Sequence, residues 1–319
     1  MKTTCLINNY NYAYFLPEAI NSALNQTVNF DEIIIVDDAS TDNSVEIITK
    51  FSHKDNFKYI LKDRNQGQLS SFNEGFIAAT GDLIFFLDAD DTYESKYLEY
   101  ALNFYQRNRE CDFLFCAYQK FGVEQGIFLE DESDLDLGYS VLKTLCLGEW
   151  IGSITSTLSM RREIANKILP IPYIDDWRVR ADDCLVWGAS VVGAKKFYIS
   201  KPLVMYRIHK SNNFHNSKSS GKNISFEYKR LLKRSAIFNY LMQKNSLNLP
   251  LLLAHYSLNE LKTIPCPKIK DFSLYLKIIF LLEKNIYWKL KGIILLFIYF
   301  FEVLKAGKLN SQNSKLKII

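Results

Sequence analysis

The sequence predicts an α/β fold: a mostly parallel sheet flanked by helices, followed by a helical extension. Three observations predict it. Through the first 120 residues, short apolar runs alternate with helix-period stretches, as in right-handed βαβ units. Two of those runs end in acidic clusters, Asp37-Asp38 and Asp88-Ala89-Asp90-Asp91, and parallel sheets bind ligands at the carboxyl ends of their strands. Beyond about residue 222 the chain becomes helical in pattern and rich in Leu, Ile, Phe and Lys.

The elements follow in order. Thr3–Ile7 is a short apolar strand. Pro17 opens a helix through Asn25, where its missing N–H costs nothing. Glu32–Val36 is a β-branched run, and Thr41 or Asp42 can cap the helix Ser44–Phe51. Phe57–Leu61 is a third strand. Gln68–Thr80 is a helix stopped at Gly81, Leu83–Leu87 a fourth strand and Ser95–Arg107 a helix. Residues 121–180 carry weaker patterns: Glu130–Asp136 reads as an acidic loop, Ile154–Met160 as a strand, and Pro170 and Pro172 break the chain. Ala181–Val192 suits a helix, Pro202–Ile208 a strand, and polar Lys210–Asn223 a mobile loop or linker. No internal repeat is visible. The division is a domain over 1–215, with halves of about 1–120 and 121–215, and a basic, apolar extension over 222–319.

Composition narrows the class. With 319 residues, 48% hydrophobic and 23% charged, the chain can bury a sizeable core without staples. The six cysteines are scattered, with no C-x-x-C pair; they read as reduced and mostly buried, in a cytoplasmic protein. No signal peptide is visible, and the longest uncharged apolar run near the C-terminus, Gly292–Phe301, is far short of the roughly 20 residues of a spanning helix. Charge is uneven: residues 1–200 hold 18 Lys/Arg and 30 Asp/Glu, net −12, while residues 201–319 hold 21 and 5, net +16. A basic half suits phosphates, an anionic membrane or nucleic acid; no nucleic-acid motif accompanies it, so nucleic acid is discounted.

Three constellations carry chemistry. Phe85-Phe86-Leu87-Asp88-Ala89-Asp90-Asp91 delivers carboxylates from an apolar strand to one turn, an oxygen donor set suited to Mg²⁺ or Mn²⁺; turn and N-cap aspartates are the plainer alternative. In Ile33–Asp42, an aspartate at the strand end can accept from a base N–H or a ribose hydroxyl, while Ser40, Thr41 or Asp42 caps the helix. In Asp63-Arg64-Asn65-Gln66-Gly67-Gln68, Gly67 before a helix lets a phosphate approach backbone amides, or marks an ordinary turn.

Asn9-Tyr10-Asn11, Val36–Asp42, Asn65-x-Gly67, Asn73-x-Gly75, Ala79-x-Gly81 and Leu87–Asp91 together resemble, in order and approximate spacing, the family-2 glycosyltransferases. The likeness is strong over residues 3–100 and weaker to about 213. Asn8-Asn9-Tyr10-Asn11 departs from the family's Pro-Thr-Tyr-Asn. The resemblance implies a GT-A fold and inverting transfer of a sugar, with a UDP-sugar as donor and Mn²⁺ or Mg²⁺ as cofactor. It implies nucleotide-sugar contacts from Asn8, Tyr10, Asp37, Asp38, Asn65, Gly67, Asp88, Ala89, Asp182 and Arg207, and a metal site of Asp88, Asp90 and His209. Arg180–Trp187 resembles the family's Glu-Asp segment, with Asp182 in the Glu position and Asp183 as the catalytic base; first-turn acids favoured by a helix dipole are the alternative. Tyr206-Arg207-Ile208-His209 looks like the terminal Tyr-Arg-x-His motif.

On this reading residues 1–120 hold the nucleotide sugar and 121–215 the acceptor. Asp183 takes the proton of an acceptor hydroxyl, which attacks opposite the departing diphosphate. Over residues 272–305, Lys277, Lys284, Lys291 and Glu302 fall within about 40° of one another if one helix runs throughout, unless Gly292 breaks it. That pattern suits a helix lying on an anionic membrane, with a lipid-linked saccharide acceptor in surface polysaccharide synthesis; packing on the catalytic domain or a homodimer is the alternative. A polyprenyl-phosphate glycosyltransferase and a non-catalytic nucleotide-sugar binder or assembly protein are the rival functions.

Overall fold

The computed structural model describes residues 1–209, 224–247, 257–283 and 285–309. The predicted linker Lys210–Asn223 lies outside them.

Runs that are apolar on both faces must be covered on both faces. β1 (Thr3–Asn9), β2 (Glu32–Asp37) and β4 (Leu83–Asp88) are such runs. With β3 (Phe57–Leu61) they form a parallel array in the order β3-β2-β1-β4. The sheet continues through β9 (Ser159–Arg161), antiparallel to both neighbours, to β6 (Phe113–Gly122), β10 (Lys196–Ile208) and β5 (Thr92–Tyr93). β10 runs parallel to β6, while β7 (Gly126–Phe128) and β8 (Leu135–Gly138) pair at the side. Alternate residues of one strand feed opposite cores. Leu6, Ile34, Val36, Ile84 and Phe86 pack with α3 (Gln68–Ala78), α6 (Arg162–Ile168) and α7 (Asp182–Val191). Cys5, Ile7, Ile33, Ile35, Phe85 and Leu87 pack with α1 (Leu16–Leu24), α2 (Ser44–Thr49) and α4 (Tyr97–Arg107).

Three expectations shift. β10 begins upstream of Pro202, because the pairing slips on either side of that proline and so needs no N–H from it. Ile154–Met160 divides into a 3₁₀ turn, Thr155–Thr157, and β9. The acidic segment Glu130–Asp136 gives its end to β8.

After α5 (Val141–Leu147), the extension supplies α8 (Ile224–Lys244), α9 (Ser257–Lys262), α10 (Ile269–Leu282) and α11 (Ile286–Lys305). α8 adds Ile237, Phe238 and Leu241 to the core around α7. Leu261, Phe272, Tyr275, Ile278, Leu296 and Val303 make a third core with Leu142 of α5. Glu260 accepts from the amides of Leu142 and Lys143 and from Tyr275 Oη at 2.8 Å, so the extension caps α5. The break between α10 and α11 falls at Asn285, whose side chain accepts from the amide of Tyr287 at 2.9 Å. Gly292 instead lies inside α11, 3.4 Å from Ile279 at its would-be Cβ. Lys277 and Lys291 therefore ride on different helices, and Lys284 lies outside the described residues, so the single charged stripe does not form. One face of α11 packs inward, while Ile294, Phe297 and Phe301 are 58%, 51% and 56% exposed. Among the described residues, no helix is long and apolar enough to cross a membrane.

Candidate active site

The register brings three strand tips together: Asn8 stands opposite Asp88 and Asn9 opposite Asp37. Asn8 Nδ2 donates to Asp88 Oδ1 at 2.6 Å. The same oxygen accepts from Gln68 Nε2 at 3.0 Å. Ligand oxygens of Asp88, Asp90 and Asp91 lie within 4.8 Å of one another, and His209 Nε2 is 3.0 Å from Asp90 Oδ2. His209 is itself packed against Phe15 and Tyr12. Burial, then the charge of Asp90, pushes the Asp88 carboxyl up to about 6, and the same two causes raise Asp91 well above its ordinary value. Buried carboxylates that resist ionising together suit a hard divalent cation.

Asp91 is the brace of this turn. It accepts from Ser156 Oγ at 2.6 Å and the Arg207 amide at 2.9 Å. Arg207 Nε donates to the Asp90 carbonyl at 2.8 Å, and its guanidinium pairs with Glu18 and lies over Phe15 and Phe121. The side chain expected at the nucleotide sugar thus holds the acidic turn. The Ala89 amide donates to the Asn8 carbonyl, and Tyr10 is exposed just beyond the tip of β1.

Asp37, Asp38, Asn65 and Gly67, expected at the nucleotide sugar, make contacts within the protein. Asp37 is 1% exposed and accepts from Asn9 Nδ2, the Ser40 amide and Ser40 Oγ. Asp38 accepts from Lys62 Nζ at 2.5 Å, the Gln66 amide at 2.9 Å and the Gly67 amide at 2.7 Å. The Gln68 amide goes to the Arg178 carbonyl, so the loop amides expected to cradle a phosphate are already used within the protein. Gly67 has φ +90°, and a Cβ there would lie 2.3 Å from Arg178 Cα. The glycine admits the backbone of Arg178, and Asn65 takes the Arg178 guanidinium.

The two aspartates at the start of α7 have different surroundings. Asp183 is 0% exposed and lies 3.1 Å from both Arg180 Nη2 and Arg230 Nη2. Asp182 remains partly exposed. Its carboxyl is pushed up to about 7 by burial, then by the charge of Asp183, with Asp88 adding and Arg180 opposing. Gln68 ties this turn to the acidic one, because its Oε1 accepts from the Ala181 amide at 2.9 Å while its Nε2 holds Asp88. Gln68, Ser156 and Arg230 were not expected at the site. Gln68 follows the Gly67 loop directly, but no local signal marks Ser156 or Arg230, whose partners are distant in sequence.

A model of glycosyl transferase family 2 matches residues 4–169. An uncharacterized glycosyltransferase of Nostoc sp. is 36% identical over 227 residues, covering 67% of this chain and 66% of its own length. The chain belongs to glycosyl transferase family 2. It spans just under two-thirds of that Nostoc relative. The cholesterol galactosyltransferase of Borreliella burgdorferi is 37% identical over 102 residues, 32% of this chain and 28% of the relative. The crystal structure of S. aureus TarS 1–349 in complex with UDP-GlcNAc superposes with a TM-score of 0.59 over 100% of this chain and 97% of that one, at 18% identity. The architecture is accordingly that of the GT-A glycosyltransferases.

Proposed function

We propose that the chain is a metal-dependent, inverting glycosyltransferase that moves a sugar from a UDP-sugar to a hydroxyl of a lipid-linked saccharide, in the building of a surface polysaccharide. The observation that carries the mechanism is Gln68, which holds Asp88 and the Asp182 turn with one side-chain amide. Residues 1–120 supply the donor half and 121–215 the acceptor half. The TarS complexes with UDP-GlcNAc and UDP support the donor class. The Borreliella relative, named for galactosyl transfer to cholesterol, supports a lipid as part of the acceptor. The exposed apolar face of α11 and the basic charge of residues 201–319 support a peripheral position on the inner face of the cell membrane.

Asp88 and Asp90, with His209 adjoining, would hold a divalent cation, Mn²⁺ or Mg²⁺, which would balance the charge of a departing diphosphate. Asn8 and Gln68 fix the Asp88 carboxylate, and Ser156 and Arg207 fix Asp91 beneath it. The base is Asp182 rather than Asp183. A base must reach the proton it takes; Asp182 retains exposure, while Asp183 is enclosed and committed to two arginines. Asp183 acts as a positioning residue that anchors the first turn of α7.

Calorimetry of UDP with Mn²⁺ and with EDTA tests the donor site. Binding that weakens at least tenfold in EDTA and in Asp88→Asn is expected; equal affinity in all three conditions sinks the metal role.

A further inference from the structure

The end of β10 that carries Arg207 and His209 is held from across the molecule by the start of α1. Arg207 and His209 are two residues apart at the end of a strand, so their side chains leave on one side, while Ile208 between them is 2% exposed. Tyr12, Phe15 and Glu18 are spaced by three. The Tyr12 carbonyl accepts from the amides of Phe15 and Leu16 at 2.9 Å each, and the Phe15 carbonyl accepts from the Glu18 amide at 3.0 Å. That winding gathers these three side chains on one side as well. The two sets meet. The centre of the Phe15 ring lies 4.6 Å from that of the His209 imidazole and 4.8 Å from Arg207 Cζ. Tyr12 meets the same imidazole at 5.7 Å, with the ring planes at 87°. Glu18 pairs with the Arg207 guanidinium, which also lies over Phe121 at 4.3 Å. The segment before α1 is anchored in turn. The Asn11 amide donates to Ser40 Oγ and the Ala13 amide to Asp42 Oδ2, both at 2.9 Å, and the Asn11 side chain accepts from the Thr41 amide at 2.7 Å. On the far side, His209 Nε2 is 3.0 Å from Asp90 Oδ2, and Arg207 Nε donates to the Asp90 carbonyl at 2.8 Å. Both residues that Phe15 touches at this strand end therefore bear on Asp90.

We propose that Phe15, with Tyr12 and Glu18 beside it, is the positioning residue that sets the His209 imidazole for a divalent cation on Asp88 and Asp90. The inference rests on the reading that this cluster takes a metal ion. An imidazole binds a cation through a nitrogen lone pair in its own plane, so affinity depends on how the ring is turned. Phe15 and Tyr12 restrict that turning, and Glu18 holds the neighbouring Arg207 against the Asp90 carbonyl. Phe15 offers no ligand atom and acts through the imidazole.

The test is Mn²⁺ binding by the full-length protein without nucleotide, read from the electron paramagnetic resonance of free Mn²⁺, beside thermal melts in EDTA. Phe15→Leu keeps apolar bulk and removes the ring. It should weaken Mn²⁺ binding about tenfold or more, the usual effect of losing a group that orients a ligand. Phe15→Tyr keeps the ring and should restore most of that affinity. Glu18→Gln changes a side chain that is 57% exposed, so the fold tolerates it, and it should weaken binding about threefold, less than the loss of the ring. Once His209→Ala has removed the imidazole, adding Phe15→Leu should cost nothing further, because residues that act through one another are not additive. A merely structural role would instead lower Tm in EDTA and add in full to the effect of His209→Ala. Unchanged Mn²⁺ affinity in either Phe15→Leu or Glu18→Gln overturns the inference alone, as does full additivity with His209→Ala. Wild-type protein that binds no Mn²⁺ overturns the metal reading and the inference with it.

Discussion

Replacing each aspartate at the start of α7 separates their roles. Asp183→Asn leaves Arg180 and Arg230 facing a neutral amide in a site where Asp183 is wholly buried. Breaking a buried pair by removing one partner costs about 3–5 kcal/mol. The two arginine side chains are 31% and 29% exposed, so water takes up part of the loss and about 3 kcal/mol is expected. At roughly 1.5 °C per kcal/mol for a chain of this size, Tm falls by roughly 4–5 °C. Asp182→Asn removes a carboxyl that burial and its acidic neighbours discourage from ionising, so Tm holds or rises. Its kcat falls about 10²–10⁴-fold, the contribution of a general base. The assay is UDP release from the sugar nucleotide that most raises Tm in Mn²⁺, measured beside thermal melts and normalised to folded protein. If Asp183→Asn keeps its Tm and loses kcat while Asp182→Asn turns over normally, the assignment of Asp182 as base is refuted.

In EDTA, Asp182 keeps its proton to about pH 7 in the native state and loses it near 3.8 when unfolded. The native state then binds more protons across that window, so unfolding free energy should fall as pH rises from about 4 to 7. Asp88, raised to about 6, acts in the same direction, and Mg²⁺ should reverse the loss. Urea titrations across pH check this, and rising stability over that window without metal would contradict it. Gly67→Ala forces a side chain into φ +90° and against the Arg178 backbone; it should lower Tm and weaken UDP binding, at a cost of at least about 1–3 kcal/mol, whereas an unchanged melt would mean the two loops separate freely. The doubly substituted Ile294→Asp, Phe297→Asp protein should lose co-sedimentation with anionic liposomes at unchanged Tm, since both side chains are more than half exposed. Wild-type protein that ignores anionic liposomes removes the membrane reading.

The elements of roughly the first 107 residues could be read from the sequence alone. Strands β1 to β4 and the helices between them were legible because each is short, strongly patterned and bounded by its own turn residues. The acidic turn at Asp88 was legible for the same reason, since an apolar strand ending in carboxylates is a local signal. What those groups touch was set by the packing of distant segments. Asp37, Asp38 and Gly67 read as ligand contacts, yet their hydrogen bonds and close approaches go to Ser40, Lys62 and Arg178, partners set by loop packing rather than by spacing. Asp182 and Asp183 are adjacent acids with nothing in the sequence to rank them. Their difference arises because one turn of α7 directs Asp183 into the core, where α8 supplies Arg230, and leaves Asp182 partly exposed. The C-terminal helices show the same limit: their apolar content was plain, but only packing on α5 decided which face is core and which remains exposed.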